Sequence, residues 1–280
     1  MKFKVACIQN CATDDLEATI ADTVELTRRA YDAGAQLICL PEFFSFLNLD
    51  SAGLHVAPFR EADHPTLAAY RELSEELGIW ILLGSIAVWD DTGKKRNRSI
   101  LLGPDGQIAS RYDKIHMFDV NLPNGEVYRE SDVFVPGDKA VTAQLPWCKL
   151  GLTVCYDLRF PHLFRSLAHA GAGVISVPAA FTRTTGQAHW HVMLRSRAIE
   201  TGVYIVAPCQ YGDHGKARTY GHSLIIDPWG RILEDGEEER GYIISEVDTE
   251  AVGKARQMIP ALDHDRDYSK PVQRLLREVS

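Results

Sequence analysis

The feature that most constrains this chain is the alternation of short apolar runs with helix-like segments along most of its length. Residues 3–9 and 36–40 have strand character, and residues 14–33 between them carry an apolar stripe at helical spacing, with Gly34 at its end. Strands that alternate with helices form sheets whose faces the helices cover. The pattern therefore predicts an α/β fold.

The same alternation continues to the C-terminal part of the chain. We predict further strands at 79–89, 150–154, 174–177, 203–208 and 242–247, and helices at 67–77, 161–170, 187–201 and near Glu250. Two segments, 99–109 and 223–233, share a pattern of apolar arms around a Pro-containing turn, which indicates two hairpins. An internal duplication and a convergence on one turn chemistry both explain this similarity.

No low-complexity linker divides the chain, so we expect residues 1–280 to form one domain. A polar tail begins at about residue 260 and is a candidate for a subunit contact. The N-terminus lacks the apolar core and cleavage site of a signal peptide, and no apolar run approaches the ~18 residues of a membrane span. We therefore expect a cytoplasmic protein with no membrane partner.

Charge and motif content exclude several classes of ligand. The formal net charge of −8 argues against nucleic acid as a partner, because phosphate binding needs a basic surface. No Gly-rich phosphate loop precedes a helix, and the chemistry proposed below needs no cofactor. His189 and His191 are two residues apart, and such residues do not share a helix face, so we predict no metal site there.

The six cysteines are scattered along the chain without a Cys-x-x-Cys pair, which fits reduced thiols. Cys7, Cys39 and Cys209 lie in or beside apolar runs, and we expect them in the core. Cys155 is different, because it comes at the end of the strand predicted at 150–154.

Two charged residues share this position with Cys155. Glu42 follows the strand at 36–40, and Lys114 follows the apolar run at 107–112. Functional groups in α/β proteins gather where strands end and loops begin. A carboxylate, an ammonium group and a thiol can then meet in one pocket; the alternative is a core cysteine with two exposed charges.

Such a set has a chemical logic. A lysine stabilises a thiolate and the oxyanion that forms after its attack. A glutamate can take the thiol proton, pass it to a leaving amine and then activate water. Together the three groups can attack a carbonyl or nitrile carbon through a thioester.

Three local segments resemble the signature motifs of the nitrilase superfamily, the carbon–nitrogen hydrolases, in their order and spacing. They are Leu-Pro-Glu-Phe-Phe at 40–44, Arg-Tyr-Asp-Lys-Ile-His-Met-Phe-Asp at 111–119 and Gly-Leu-Thr-Val-Cys-Tyr-Asp-Leu-Arg-Phe-Pro at 151–161. A fourth similar segment, Glu-Ser-Asp-Val-Phe-Val-Pro-Gly-Asp, lies at 130–138. The resemblance covers about residues 4–268 and implies a four-layer α-β-β-α sandwich. Members of this superfamily usually form dimers.

The resemblance also implies a role for each motif residue. Glu42 is then the general base, Lys114 stabilises the tetrahedral intermediate, and Cys155 is the nucleophile. Glu130 is a second carboxylate that orients the substrate and supports Lys114, and the backbone N–H of Tyr156 joins Lys114 in an oxyanion hole.

Two further segments, 181–201 and 220–223, resemble the branch that holds the deaminated glutathione amidases and the ω-amidases, and they favour the former. Both groups hydrolyse the primary amide of an anionic substrate, which needs a cationic clamp. Arg159 is the first candidate, with Asp157 as an alternative structural partner. Phe181 and Thr185 line the site by resemblance, and Arg183 is either a second clamp or an exposed loop charge.

Other interpretations of the function remain open. The same catalyst can serve an ω-amidase, an N-carbamoyl amidase or a nitrilase, because pocket loops such as 121–129 decide the substrate. A non-catalytic binding protein on this fold is disfavoured, because Glu42, Lys114 and Cys155 are all present. A redox-sensing thiol is disfavoured too, since Cys148 lies at the other end of a strand, roughly 20 Å away at about 3.3 Å per residue.

Overall fold

The computed structural model describes residues 1–50, 53–122 and 125–269. In these ranges the helices are α1 (Leu16–Asp32), α2 (Pro65–Leu77), α3 (Pro161–His169), α4 (Arg183–Thr201) and α5 (Thr249–Met258). The strands, in chain order, are β1 (Lys2–Gln9), β2 (Leu37–Cys39), β3 (Asn48–Asp50), β4 (Gly53–His55), β5 (Phe59–Arg60), β6 (Trp80–Trp89), β7 (Lys95–Leu102), β8 (Ile108–Asp113), β9 (Asp119–Asn121), β10 (Val127–Arg129), β11 (Val141–Gln144), β12 (Lys149–Leu152), β13 (Ala172–Ser176), β14 (Tyr204–Ala207), β15 (Tyr211–His214), β16 (Ala217–Tyr220), β17 (Leu224–Ile226), β18 (Ile232–Asp235) and β19 (Gly241–Asp248).

The two large sheets have the same arrangement of parallel and antiparallel strands. The first has the order β19-β1-β2-β6-β7-β8, and the second has the order β11-β12-β13-β14-β17-β18. In each, three parallel strands are flanked by an antiparallel strand on one side and a hairpin on the other. Both Pro-containing hairpins therefore occupy the same sheet position, as an internal duplication would leave them.

The alternation of side chains along the strands separates the layers. In β1, Val5 and Cys7 face a core shared with the second sheet, whereas Ala6 and Ile8 face the core beneath α1 and α2. The other face of the second sheet is covered by α3 and α4, whose buried Leu167 and Leu194 pack against it. The protein is therefore a four-layer α-β-β-α sandwich.

Predicted elements agree with the structure to within a few residues. The helix expected at 187–201 begins earlier, at Arg183, because Thr182 caps it and its hydroxyl accepts from the Thr185 N–H at 3.4 Å. The short pairs β3–β4, β9–β10 and β15–β16 were not predicted, since their three- and four-residue strands lack an apolar alternation. Cys7, Cys39 and Cys209 are buried, as predicted.

The polar tail after residue 260 lies partly outside the described residues, which end at 269. Its described part is a turn followed by irregular backbone, and it packs on α3. Arg165 donates to the Ala261 carbonyl at 2.7 Å and pairs with Asp265, which also contacts His169 at 2.7 Å.

Candidate active site

Glu42 is fixed by the close approach of two chain segments. A Cβ at Gly84 of β6 would lie 1.9 Å from the Leu40 carbonyl oxygen, so only glycine lets β6 pass this close to the strand end. The next residue, Ser85, donates its N–H to the Pro41 carbonyl at 3.3 Å, and its hydroxyl accepts from the Phe43 N–H at 3.1 Å. The Gly84–Ser85 break in the apolar run thus positions Glu42.

The ammonium group of Lys114 joins two buried carboxylates. Lys114 follows β8 directly, and its Nζ lies 2.9 Å from Glu42 Oε1 and 2.8 Å from Glu130 Oε2. Glu130 begins a short 3₁₀ turn after β10, and it also accepts the Phe118 N–H at 2.6 Å. All three side chains are at most 5% exposed. Buried charges of this kind persist only when paired and hydrogen-bonded.

Cys155 follows β12 on a strained turn. Its φ of 48° is in the left-handed region, which a non-glycine residue adopts only when its surroundings hold it there. Its N–H donates to the Pro178 carbonyl at 2.8 Å, and the 3₁₀ turn that it opens runs to Arg159. Cys155 is 7% exposed, and its thiol lies beside the Glu42 carboxylate and the Lys114 ammonium group.

The environment shifts the proton affinities of these groups. Burial raises the pKa of the Cys155 thiol well above its usual value, the Glu42 charge raises it further, and Lys114 opposes both. Burial alone would lower the pKa of Lys114, but Glu130 and Glu42 outweigh it and hold that pKa well above normal. Burial raises the pKa of Glu130 despite Lys114. The resting cluster therefore holds a neutral thiol beside a charged lysine.

A third carboxylate, that of Asp157, supports the turn at Cys155. Asp157 is fully buried and accepts from Tyr112 Oη at 2.6 Å, from the Val154 N–H at 2.9 Å and from the His116 N–H at 3.1 Å; His116 Nδ1 also lies 2.7 Å away. Tyr112 and His116 flank Lys114 in sequence, and Val154 precedes Cys155. One carboxylate thus ties the lysine segment to the cysteine turn.

Asn97 is a site residue that the sequence reasoning missed. It lies in β7, and its Nδ2 donates to Glu42 Oε1 at 2.9 Å and to Glu130 Oε1 at 3.0 Å. Its own Oδ1 is buried without a hydrogen-bond partner among the described residues. Asn97 stands within the polar run of residues 94–99, so the sequence carries no signal that this side chain is buried.

These groups border a cavity of about 420 Å³, a size typical of small-molecule sites. Glu42, Lys114, Glu130 and Cys155 line it together with mostly apolar side chains, among them Phe43, Leu47, Leu54, Phe118, Val127, Tyr128 and Val133. Arg129 also lines it, and the hydrogen bonds described for its guanidinium end on neutral oxygens of Val120, Tyr128 and Asn121. Residues 123 and 124 of the loop expected at 121–129 are outside the described ranges.

None of the five residues predicted to bind substrate is among the described residues that line this cavity. They are Tyr156, Arg159, Phe181, Arg183 and Thr185. Arg159 lies over the rings of Tyr156 and Phe181 and reaches His189 Nδ1 at 3.3 Å, while the described partners of Asp157 do not include it. The Tyr156 ring meets Phe118 of the cavity wall at 5.1 Å.

Thr185 and Arg183 belong to the first turn of α4. Thr185 is buried and hydrogen-bonds Thr182 at 2.7 Å. Arg183 forms an ion pair with Glu238 at the surface. Their substrate-binding roles stay predictions, as does that of Arg159.

Comparisons with known proteins identify the family of this chain. The sequence pattern of the carbon-nitrogen hydrolase family matches residues 4–257. The deaminated glutathione amidase of Synechocystis sp. is 39% identical over 94% of this chain and 97% of its own, and that of Homo sapiens is 38% identical over 94% of this chain and 82% of its own. Nit3 of Saccharomyces cerevisiae, a member of branch 10 of the nitrilase superfamily, superposes with a TM-score of 0.80 at 28% identity, covering 92% of this chain and 94% of that one. The chain therefore belongs to the carbon–nitrogen hydrolase family of the nitrilase superfamily and is an amidohydrolase.

Proposed function

We propose that this enzyme hydrolyses a primary amide through a thioester on Cys155. The observation that carries the proposal is the contact of Lys114 Nζ with both Glu42 and Glu130 beside the Cys155 thiol, at the wall of one cavity. A single ammonium group held between two carboxylates is costly to bury. Next to a nucleophile, such a group can stabilise the negative charge that forms during the reaction.

In the first step, Glu42 takes the Sγ proton while Sγ attacks the amide carbon. The oxyanion is held by Lys114 Nζ and the Tyr156 N–H. Glu130 bonds Lys114 through both oxygens, so one Lys114 N–H can turn to the oxyanion without leaving either carboxylate unpaired. Collapse breaks the C–N bond, the proton on Glu42 passes to the leaving nitrogen, and ammonia leaves.

In the second step, Glu42 takes a proton from water, and the resulting hydroxide attacks the thioester carbon. The same two donors hold the second oxyanion. Collapse expels the Cys155 thiolate, which regains its proton from Glu42, and the carboxylic acid leaves. One base therefore serves both halves of the cycle.

For the substrate we favour deaminated glutathione, on the similarity to relatives of that name over nearly the whole chain. This substrate is an anion, and Arg159 and Arg183 remain the predicted clamps. Arg129 is a further candidate, because it lines the cavity and its described hydrogen bonds reach no carboxylate. Three neutral oxygens hold this guanidinium group, and its charge helps to lower the pKa of Asp119. Its remaining N–H groups can pair with a substrate carboxylate.

The test is ammonia release from the purified protein with deaminated glutathione, α-ketoglutaramate, an N-carbamoyl amino acid and a simple nitrile in parallel. We expect the highest kcat/KM for deaminated glutathione. Preference for another of the four would move the enzyme to that branch with the same catalytic residues. Inactivity on all four would contradict the substrate assignment.

We further infer that residues 1–280 form one domain that assembles as a homodimer or larger homo-oligomer. Val192 and Ile199 are seven residues apart on α4, share a face and are 69% and 52% exposed. Trp229 is 46% exposed and precedes Gly230, which packs against Ile199. Such an apolar patch is typical of an interface. Sedimentation of the Val192→Glu/Ile199→Glu protein should give a smaller species than wild type.

A reducing compartment, the cytoplasm, is the location we propose. All six cysteines are free thiols, and catalysis needs Cys155 reduced. In the described part of the chain, no helix has the length and apolarity needed to cross a membrane. Cell fractionation followed by detection with an antibody tests this location.

A further inference from the structure

A second cluster of metal-binding side chains lies outside the catalytic cavity. His191 of α4 and His222, which precedes β17, both point at Asp235 at the end of β18. His191 Nε2 lies 3.0 Å from Asp235 Oδ2, and His222 Nδ1 lies 2.9 Å from Asp235 Oδ1. We call these three residues the His–Asp–His cluster; none of them lines the cavity beside Cys155.

Neighbouring residues hold the backbone and the ring of His222 in place. His222 has a φ of 52°, and its backbone is held by the Trp190 indole N–H, which donates to its carbonyl at 2.7 Å, and by the Glu237 carbonyl, which accepts its N–H at 2.5 Å. The Tyr220 ring stacks on the His222 ring at 4.4 Å. The imidazole is therefore fixed in direction before any ligand binds.

The spacing suits a small divalent cation. One ligand atom from each residue lies within 4.8 Å of the others, whereas a tetrahedral zinc ion holds its ligands about 3.4 Å apart. Metal binding would therefore replace the two His–Asp hydrogen bonds of 3.0 and 2.9 Å, release their protons and draw the more distant ligand atoms together. Asp235 is oriented by three hydrogen bonds, because it contacts His191 and His222 and its Oδ1 also accepts the Glu237 N–H at 2.9 Å. The three side chains are 20–30% exposed, which leaves room for a water ligand.

We propose that the His–Asp–His cluster binds one divalent transition-metal ion of the Zn²⁺ type, with two imidazoles, one carboxylate and water as ligands. Imidazole selects zinc, nickel or copper over magnesium, which prefers oxygen ligands. The ion would join α4 to the hairpin β17–β18. His189, two residues from His191, takes no part, because it faces Arg159 instead.

The experiment is equilibrium dialysis of the Cys155→Ala protein, which removes the catalytic thiol as a competing ligand, against buffered Zn²⁺ or Mg²⁺. We expect about one Zn²⁺ per chain at micromolar free metal, no Mg²⁺, and a higher unfolding temperature with Zn²⁺. His191→Gln and Asp235→Asn should each weaken Zn²⁺ binding at least ~10-fold, and His189→Gln should leave it unchanged.

Two results would overturn the proposal: no saturable Zn²⁺ binding by the Cys155→Ala protein, or equal binding after His191→Gln and Asp235→Asn. Thermal unfolding of each variant without metal shows whether it is folded. His191 lies on a part-exposed helix surface, so its substitution is the one that tests the site with the least risk to the fold.

Discussion

The two sheets build their shares of the active site by different means. At the edge of the first sheet, Glu42 and Lys114 are held by each other, with Glu130 and Asn97 completing a cluster of charged and polar side chains. At the edge of the second sheet, Cys155 is held through the backbone. Its N–H bonds the Pro178 carbonyl, and the preceding Val154 N–H bonds the Asp157 carboxylate. The first group is positioned by charge, and the second by chain geometry.

Both sheet edges nevertheless have a residue with a positive φ after the strand. Phe43, directly after Glu42, and Cys155 have φ values of 51° and 48°, so each strand end is followed by a left-handed residue. Such a residue costs about 1–3 kcal/mol, which the surrounding contacts offset. The two edges differ in how far their reactive groups hold the structure. At the second edge, backbone contacts hold the turn and the Cys155 thiol adds a hydrogen bond to Glu42, so the thiol can be replaced with little structural loss. At the first edge, the reactive side chains themselves hold the structure.

The largest expected effect follows from that freedom. Replacing Cys155 by Ser should lower kcat by at least ~10³-fold, because an alkoxide is much harder to generate than a thiolate. The unfolding temperature should change little, since the backbone holds the turn. Steady-state ammonia release and thermal unfolding measure the two quantities.

Cys148→Ser is the matched control for this thiol. Cys148 is half-buried beside β12 and outside the described lining of the cavity, so its replacement should leave kcat unchanged. Near-normal turnover by Cys155→Ser would remove the nucleophile assignment.

Glu42→Gln tests the first edge with an isosteric change. We expect kcat to fall by ~10²–10⁴-fold, because both the thiol and the hydrolytic water lose their base. The variant should also lose stability, since Lys114 keeps only Glu130 as a charged partner. Activity and urea unfolding are measured together.

Glu61→Gln serves as the control, because Glu61 pairs with Arg98 and Arg111 away from the cavity. It should lower stability without changing kcat. Rapid accumulation of a covalent adduct by Glu42→Gln would show that another base serves the first step.

Asp157→Asn should separate positioning from chemistry at the second edge. The amide would direct N–H groups at donors such as Tyr112 Oη and the Val154 N–H, so we expect a loss of about 1–3 kcal/mol in the free energy of unfolding. A shift of the lysine segment relative to the cysteine turn should also lower kcat by up to ~10²-fold with KM nearly unchanged.

Tyr112→Phe removes only one of these bonds and should have a fraction of both effects. If Asp157→Asn lost stability but kept full kcat, Asp157 would be a structural residue and the positioning role would be wrong.

The comparison also explains what could be predicted from the sequence. Glu42, Lys114 and Cys155 each follow a strand with a readable apolar pattern, so their meeting in one pocket was predictable. That the pocket lies between two sheets, with Cys155 on the second, was not. Asn97 and Arg129 were not predicted as site residues, because their importance depends on where hairpins fold back, and β9–β10 has no apolar alternation. The Asp235 partnership with His191 and His222 joins elements far apart in sequence, which no local pattern records.

Asn97→Ala is expected to loosen the first edge without removing a charge. The two carboxylates would lose a shared donor, and each keeps its bond to Lys114. We expect kcat to fall by about 10-fold, in line with one hydrogen bond to a charged group. Arg98→Ala, one residue along β7 and paired with Glu61 and Asp113, is the control for general damage to the strand. Equal losses of kcat in the two variants would assign the Asn97 effect to strand damage.

The smallest expected effect concerns Glu130, where chemistry and stability should oppose each other. Because burial raises the pKa of Glu130 above its ordinary value of 4.5, the folded state holds this proton more tightly than the unfolded state does. The associated stability is present at acid pH and is lost as pH rises through the folded pKa.

Glu130→Gln lacks that titration, so its unfolding temperature relative to wild type should increase as the pH rises from 4.5, the ordinary carboxyl pKa, into the neutral range. Removing one carboxylate also leaves Lys114 and Glu42 as a neutral pair, while kcat should fall because Lys114 loses a partner that orients it. Thermal unfolding and ammonia release across this range measure both. A variant that instead lost stability relative to wild type as pH rose would mean that the ionised Glu130 strengthens the cluster, and that the first edge depends on both carboxylates being charged.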